Sequence, residues 1–211
     1  MVDKLDSEHD FLQKNVHLAV QGDAGALNSL LTHYHDRLWR MIVVRLDARL
    51  KGRLDADDVI QEAFLEIAQR IREFKEDVHF YIWIRFITLQ RLQMLHRHHL
   101  GAQMRDARME QQPKAHMAGT ESMADIFLGH LTSPSQAVIR RELTAQLHQI
   151  LAEMEPLDRE VLALRHFEEL SNVETAAVLE ISPDAASKRH LRALKKLKDV
   201  FRRIQDESQS G

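Results

Sequence analysis

The 211-residue sequence contains no cysteine. Disulfides, thiol catalysis and thiolate metal sites are excluded, and the composition fits a reducing compartment. Glycine and proline are scarce, at 7 and 4 residues, and aromatic residues make up only 6%. With abundant Leu, Ala, Arg, Glu and Gln, that balance favours helices over a β-sandwich or barrel. No apolar run approaches the ~18 residues of a membrane span. The opening Met1-Val-Asp-Lys-Leu-Asp6 has no apolar signal core. The expectation is a soluble, cytoplasmic protein with no membrane partner. Strong charge of one sign is also missing. A net charge of −3 excludes a globally basic nucleic-acid coat protein, so only local charge can serve nucleic acid. What is present is 44% hydrophobic and 29% charged residues, enough to bury a core. The length fits one domain or two small ones at ~100–200 residues each.

Apolar spacing reads as helix almost throughout. After a short helix near Phe11–Val20 and a break at Gly22-Asp23, Leu27, Leu30, Leu31, Tyr34, Leu38, Met41 and Ile42 recur every three or four residues. They mark one buried stripe of a long helix. Asp55-Ala-Asp-Asp58 places acids where a helix dipole favours them, at the start of a third helix with the stripe Ile60, Phe64, Ile67 and Ile71. Residues 74–79 read as a loop. A fourth helix, about 80–99, is apolar on most sides in its first half and belongs in the middle of a bundle. Residues 101–133 carry no sustained stripe and read as a linker. Ser133-Pro134-Ser135-Gln136 then resembles a helix start, and Ile139, Leu143, Leu147, Ile150 and Met154 mark the helix. Pro156 ends it and begins the next, to Phe167. The fold class is all-α: two small helical domains, about 10–100 and 134–206, on a flexible tether.

The segment from Leu170 to Ile204 is the most informative. Ser171-Asn-Val-Glu174 is a capping box, so a short helix starts at Asn172 with Ala176 and Leu179 inward. A tight break follows at Glu180-Ile181. Ser182-Pro183 then caps a second helix and opens it with proline. Leu194, Leu197, Phe201 and Ile204 supply its core stripe. Two helices joined by so short a turn form a helix-turn-helix. Between Ser187 and Arg203 stand eight Lys/Arg and one acid, Asp199, whereas the stretch from Glu153 to Glu169 is mainly acidic. Positive charge is thus concentrated on the helix that would enter a major groove. Ser187, Lys188 and Arg189 lie near its N-terminal end, where base edges are reached. Arg192, Lys195 and Lys196 are better placed for phosphates.

Residues 156–179, closed by Ala185-Ala-Ser-Lys-Arg-His-Leu-Arg-Ala-Leu194, resemble the promoter −35 domain, region 4, of bacterial sigma factors. The likeness is to the extracytoplasmic-function (ECF) group of the sigma-70 family. The N-terminal half agrees independently. Gly22-Asp23-Ala24 resembles that group's opening, and Asp57-Asp58-Val-Ile-Gln61-Glu62-Ala-Phe64 its region 2 signature. Phe80-Tyr-Ile-Trp83-Ile84-Arg85, with Arg91 to Arg97, resembles the segment that opens and reads the −10 element. The resemblance implies a region 2 bundle and a region 4 helix-turn-helix. It implies that region 2 docks on the β′ clamp helices of core RNA polymerase and binds −10 DNA, while region 4 binds −35 DNA and the β flap. The partners are then core RNA polymerase, promoter DNA and, in some members, an anti-sigma factor. The chemistry is the polymerase's, so this chain is expected not to be an enzyme and to need no cofactor. It departs from the family at Glu180, where glycine is usual, which predicts an adjusted or strained turn. Thr175 and Ala186 replace branched apolar residues, and Phe86-Ile87-Thr88 with Gln90 replace the usual −10 residues.

Asp58, Gln61, Glu62 and Leu65 share one helical face and, on the resemblance, bind core polymerase. The −10 candidates are Tyr81, Arg85, Gln90, Arg91 and Arg97. An aromatic among them can stack on an unpaired base, worth ~1–3 kcal/mol. Phe80 and Trp83 read as core instead. The −35 candidates are Ser187, Lys188, Arg189, Arg192, Lys195 and Lys196. His33/His35 and His96/His98 point about 200° apart around a helix and make poor ligand pairs, so no metal site is expected. Two alternatives remain at this level. A stand-alone helix-turn-helix regulator would dimerise on a palindrome without polymerase. A sigma-like protein that has lost promoter reading would bind polymerase yet support no initiation.

Overall fold

In a computed structural model of the chain, residues 2–46, 50, 53–101, 123–124 and 137–208 are described. Among them every regular element is helical. The chain divides into two compact units, Met1–Ile42 with Ala48–Glu110, and Val43–Asp47 with Gln111–Gly211.

The first unit contains α1 (Val2–Val20), α2 (Ala24–Arg45, through Ile42), α3 (Ala56–Arg70) with a 3-10 turn at Ile71–Glu73, and α4 (Phe80–Gly101). Helix α1 starts earlier than its apolar spacing predicts. Gly22, at φ +100°, turns the chain between α1 and α2, in a region that side chains rarely occupy. Asp23 Oδ1 then accepts the Ala26 N–H at 3.0 Å. All seven residues of the α2 stripe are buried. Asp55 and Asp58 form a reciprocal capping box at the start of α3, each carboxylate accepting the other's backbone N–H, at 2.8 and 3.3 Å. Helix α3 packs on α4, and α4 also meets α2 where Phe80 and Tyr81 pack against Tyr34. Ile84, Ile87 and Thr88 of α4 are fully buried, and Thr88 returns its hydroxyl to the Ile84 carbonyl at 2.8 Å. Not every apolar side of α4 is covered as a place in the middle of a bundle predicts: Phe86 is 54% exposed. Phe86 lies about 200° around the helix from Ile84, on the face opposite the core.

The second unit contains α5 (Ala137–Glu153), α6 (Pro156–Leu162), a π turn at Ala163–Phe167, α7 (Asn172–Leu179) and α8 (Pro183–Ser208). Leu147, Leu151, Met154, Leu162, Ala163, Phe167, Ala193 and Leu197 form its core, with Val44, Met123 and Ala124. Arg45, counted with this unit, is buried against Glu160 and Glu168. The rest of the expected linker, and the start at Ser133-Pro134-Gln136, lie outside the described residues.

The helix-turn-helix follows its local code closely. Ser171 caps α7, its hydroxyl accepting the Glu174 N–H at 3.2 Å, while the Glu174 carboxylate accepts the Ser171 N–H at 2.7 Å. The Ile181 and Glu180 N–H groups donate to the Ala176 and Ala177 carbonyls at 3.0 and 3.3 Å, a Schellman ending with Glu180 left-handed at φ 54°, ψ 40°. Glycine adopts that conformation at no steric cost and glutamate does not. Ser182 Oγ accepts the Ala185 N–H at 3.2 Å and starts α8. Ala176, Ala186 and Ala193 are buried where α8 lies on its neighbours. Of the expected core stripe, Leu194 is 36% exposed and Leu197 is buried, while the side chains of Phe201 and Ile204 lie outside those described. Thr175 is fully buried and its hydroxyl has no hydrogen-bond partner.

Candidate nucleic-acid interface

The N-terminal turn of α8 is open to solvent: Pro183, Asp184 and Lys188 are exposed and Ser187 half-exposed. Lys188 pairs with Asp184 one turn back at 2.6 Å, both largely exposed. Lys195, Lys196 and Arg202 continue the cationic surface. Leu191, 66% exposed, sits among these cations.

Arg189 and Arg192 are engaged differently. Arg192 Nε donates to Asp158 Oδ2 at 2.6 Å and its Nη2 to Asp158 Oδ1 at 2.8 Å, a two-pronged grip on one carboxylate. Arg189 Nη1 donates to Asp158 Oδ1 at 2.9 Å and to Glu155 Oε1 at 3.1 Å. Asp158 is fully buried in the first turn of α6, where the helix dipole also favours an anion. Burial alone would raise its pKa, but hydrogen bonds from Arg192 and Arg189 outweigh it and hold the carboxyl below the usual range. Both arginines, expected at a base edge and a phosphate, are thus tied to α6. The acid pair Glu155/Asp158 was missed in the sequence because its partners stand 31 to 37 residues away.

In the first unit, Asp58, Gln61 and Leu65 are exposed along α3, and Leu65 at 66% is an uncovered apolar residue on a polar face. Asp58 also serves the capping box. Glu62, on the same face, approaches Arg91 of α4 at 3.6 Å, and Glu66 holds Arg91 at 3.0 Å. Arg91, expected on phosphate, therefore braces α4 against α3. Tyr81 is a correction: it is fully buried, packed 5.4 Å from the Tyr34 ring with the Arg37 guanidinium 3.8 Å from its centroid. Its stacking surface is taken up inside the bundle. Arg85 is likewise buried. Gln90 is half-exposed and Arg97 exposed, on the α4 face that carries Phe86. Phe80 is buried and Trp83 half-buried, both within an aromatic cluster with Phe74.

Among the described residues no group of three or more His, Asp or Glu is arranged to hold a metal ion, and no helix is long and apolar enough to cross a membrane.

Two helical units, one ending in a helix-turn-helix with an open cationic second helix, define a DNA-binding transcription protein. Residues 30–99 match the family model of Sigma-70 region 2, and residues 144–197 that of Sigma-70, region 4. The chain belongs to the sigma-70 family, in its ECF group: it is a promoter-directing sigma factor that works with RNA polymerase. It is similar to the RNA polymerase sigma-H factor of Pseudomonas aeruginosa, 29% identical over 185 residues that cover 86% of this chain and 89% of that one. It is also similar to the ECF RNA polymerase sigma factor SigW of Bacillus subtilis, 24% identical over 81% of this chain and 86% of that one. Among solved structures, CnrH in complex with the cytosolic domain of CnrY shares the fold, with a TM-score of 0.55 and 21% identity over 90% of this chain and 97% of that one.

Proposed function

We propose a division of labour among the exposed side chains of this sigma factor. Helix α8 enters the major groove of the −35 element. Ser187 and Lys188 meet base edges at its leading turn, and Lys195 and Lys196 meet phosphates further along. Arg189 and Arg192 serve the same helix from behind, fixing its direction through Asp158. In the first unit, Gln90 and Arg97 on the outer face of α4 meet −10 DNA. Asp58, Gln61 and Leu65 on α3 dock on the β′ clamp helices, and the second unit contacts the β flap. An anti-sigma factor is a further partner of the same exposed faces. The observation that carries this reading is the open leading turn of α8, which follows a fully capped helix-turn-helix and presents Lys188 outward.

Run-off transcription on a genomic promoter library, with core polymerase in the presence and absence of the chain, tests it. Promoter-dependent transcripts are expected only with the chain present. A chain that binds core polymerase yet yields no such transcript refutes promoter direction, and a polymerase-independent dimer on a palindrome refutes the docking assignment.

A further inference from the structure

His166, in the π turn, and His190, on α8, meet side chain to side chain. Their Nε2 atoms are 2.9 Å apart and their ring centroids 5.1 Å apart. The rings therefore lie nearly end to end, each Nε2 pointing at the other. That geometry fits one N–H···N hydrogen bond. It does not fit a shared metal ion, whose two imidazole lone pairs would converge on a point off the line between them. One ring donates through Nε2–H and the other accepts, with its own proton on Nδ1.

We propose that His166 is a positioning residue for α8: its hydrogen bond to His190 seats the duplex-reading helix, and acid unseats it. The proton count sets the behaviour. The neutral pair has one proton between the two Nε2 atoms. A first added proton goes to Nδ1 of the donor ring and leaves the bond in place. A second must go to the accepting Nε2, and two N–H groups then face each other 2.9 Å apart with no acceptor between them.

Most charged groups on the surrounding elements have partners of their own. Arg165, next to His166, donates to the Leu170 carbonyl at 2.6 Å and keeps its positive charge close to both rings. On α6, Glu155 and Asp158 are engaged by Arg189 and Arg192 of α8. Lys188 is paired with Asp184. Glu174 of α7 caps its own helix, and Glu168 is held by Arg45. Glu169 is exposed at the end of the π turn. His166 keeps an exposed face and His190 is half-buried, so it is the partial desolvation of the rings where they meet, then Arg165, that lowers the His166 pKa from the ordinary histidine value, and partial desolvation, His166 and Arg165 that lower that of His190. A depressed folded value means that the seated state binds fewer protons than the released one. Its stabilisation is full above about pH 6.5 and is lost as pH falls through the depressed values.

The sign separates this device from plain electrostatics, in which extra protons on α8 strengthen its hold on phosphates as pH falls. The test follows both ring pKa values of the full-length chain by nitrogen-15 NMR, with thermal unfolding of wild type, His166→Gln and His190→Gln, between pH 8 and 5. Both rings are expected to titrate below the ordinary value. Wild-type stability is expected to fall across that window and each variant's to stay flatter. Ordinary titration of either ring, or parallel profiles in wild type and both variants, overturns the proposal. A duplex-binding arm rests on the −35 assignment of α8. There the affinity of wild type relative to His166→Gln is expected to drop several-fold from pH 7.5 to 5.5, and a ratio that holds or rises overturns the proposal. If neither protein binds duplex at any pH, the −35 assignment fails, and the NMR and unfolding arms still decide the role of His166.

Discussion

Replacing Asp158 by Asn removes one negative charge from the contact between α6 and α8 while keeping the side chain's shape. Asp158 accepts three hydrogen bonds from two guanidinium groups at 2.6–2.9 Å and has no exposed surface. Hydrogen bonds to charged groups contribute about 1.5–3 kcal/mol each in net terms. The loss is smaller than their sum. Asn keeps one acceptor oxygen, Arg189 keeps Glu155, and water reaches the partly exposed guanidinium groups once the carboxylate is gone. About 2 kcal/mol remains, a fall of about 10 °C in the melting temperature of a unit this size. Calorimetry of the full chain, following the transition of the second unit, measures it. The acid limb gives a second reading. Because the Asp158 pKa is depressed, its contribution is present above the ordinary aspartate value and lost as pH falls through the folded value, below about 3.9. That part of the wild-type pH dependence should be missing in Asp158→Asn. A variant that melts with wild type at neutral pH shows that the cluster is a surface decoration, and the account of how α8 is oriented then fails.

Four further outcomes follow from single side chains. Thr175→Val removes a buried hydroxyl without a partner and keeps its volume, so the second unit should gain about 1 kcal/mol in urea unfolding; a loss refutes the reading of that hydroxyl as an uncompensated cost. Glu180→Gly relieves a left-handed residue at the helix-turn-helix turn and should add about 1 kcal/mol in the same measurement, with destabilisation the refuting result. Leu65→Asp should leave circular dichroism and melting unchanged, since the side chain is 66% exposed, yet abolish co-elution with core polymerase; an intact complex would remove α3 from the docking surface. Lys196→Ala should weaken all duplexes alike and lower the salt slope of binding by about one, whereas a change confined to one sequence would make Lys196 a base reader.

Sequence pattern located the elements where their signals are local. The box Ser171/Glu174 and the acids 55–58 bond within four residues, Pro156 and Pro183 act through their own fixed φ, and each helix begins where they indicate. The α2 stripe was legible for the same reason, because helical periodicity alone decides which face turns inward. The site was only half legible. Exposure at Leu65, Lys188 and Lys195 follows from position on an amphipathic helix, but Arg85 and Tyr81 sit beside apolar residues whose helix meets both α2 and α3, and burial there depends on what packs around it. The His166–His190 bond spans 24 residues and has no signal in the spacing of either histidine. The Glu180 turn was recognisable as a departure, yet nothing in its composition said that the backbone would keep the left-handed geometry and strain the glutamate instead of rearranging.

On α8, Arg189 and Arg192 are engaged with α6 while Lys195 and Lys196 are not, and the chemistry of the two side chains accounts for the difference. A guanidinium is planar and offers paired donors in a fixed fork, which matches a buried carboxylate that must be satisfied on both oxygens. Asp158 needs that kind of partner, and Arg192 supplies it with Nε and Nη2 while Arg189 bridges to Glu155. An ammonium on a flexible stem suits a partner whose position varies from one phosphate to the next, and the exposed Lys195 and Lys196 are the side chains proposed for that part. Swapping the roles tests the idea better than deleting them. Arg192→Lys keeps the charge and loses the fork, so it should lower the melting temperature of the second unit with little change in the salt slope of duplex binding. Lys196→Arg should leave both nearly unchanged. If Arg192→Lys melts with wild type, charge alone seats the helix and the geometry of the fork is irrelevant.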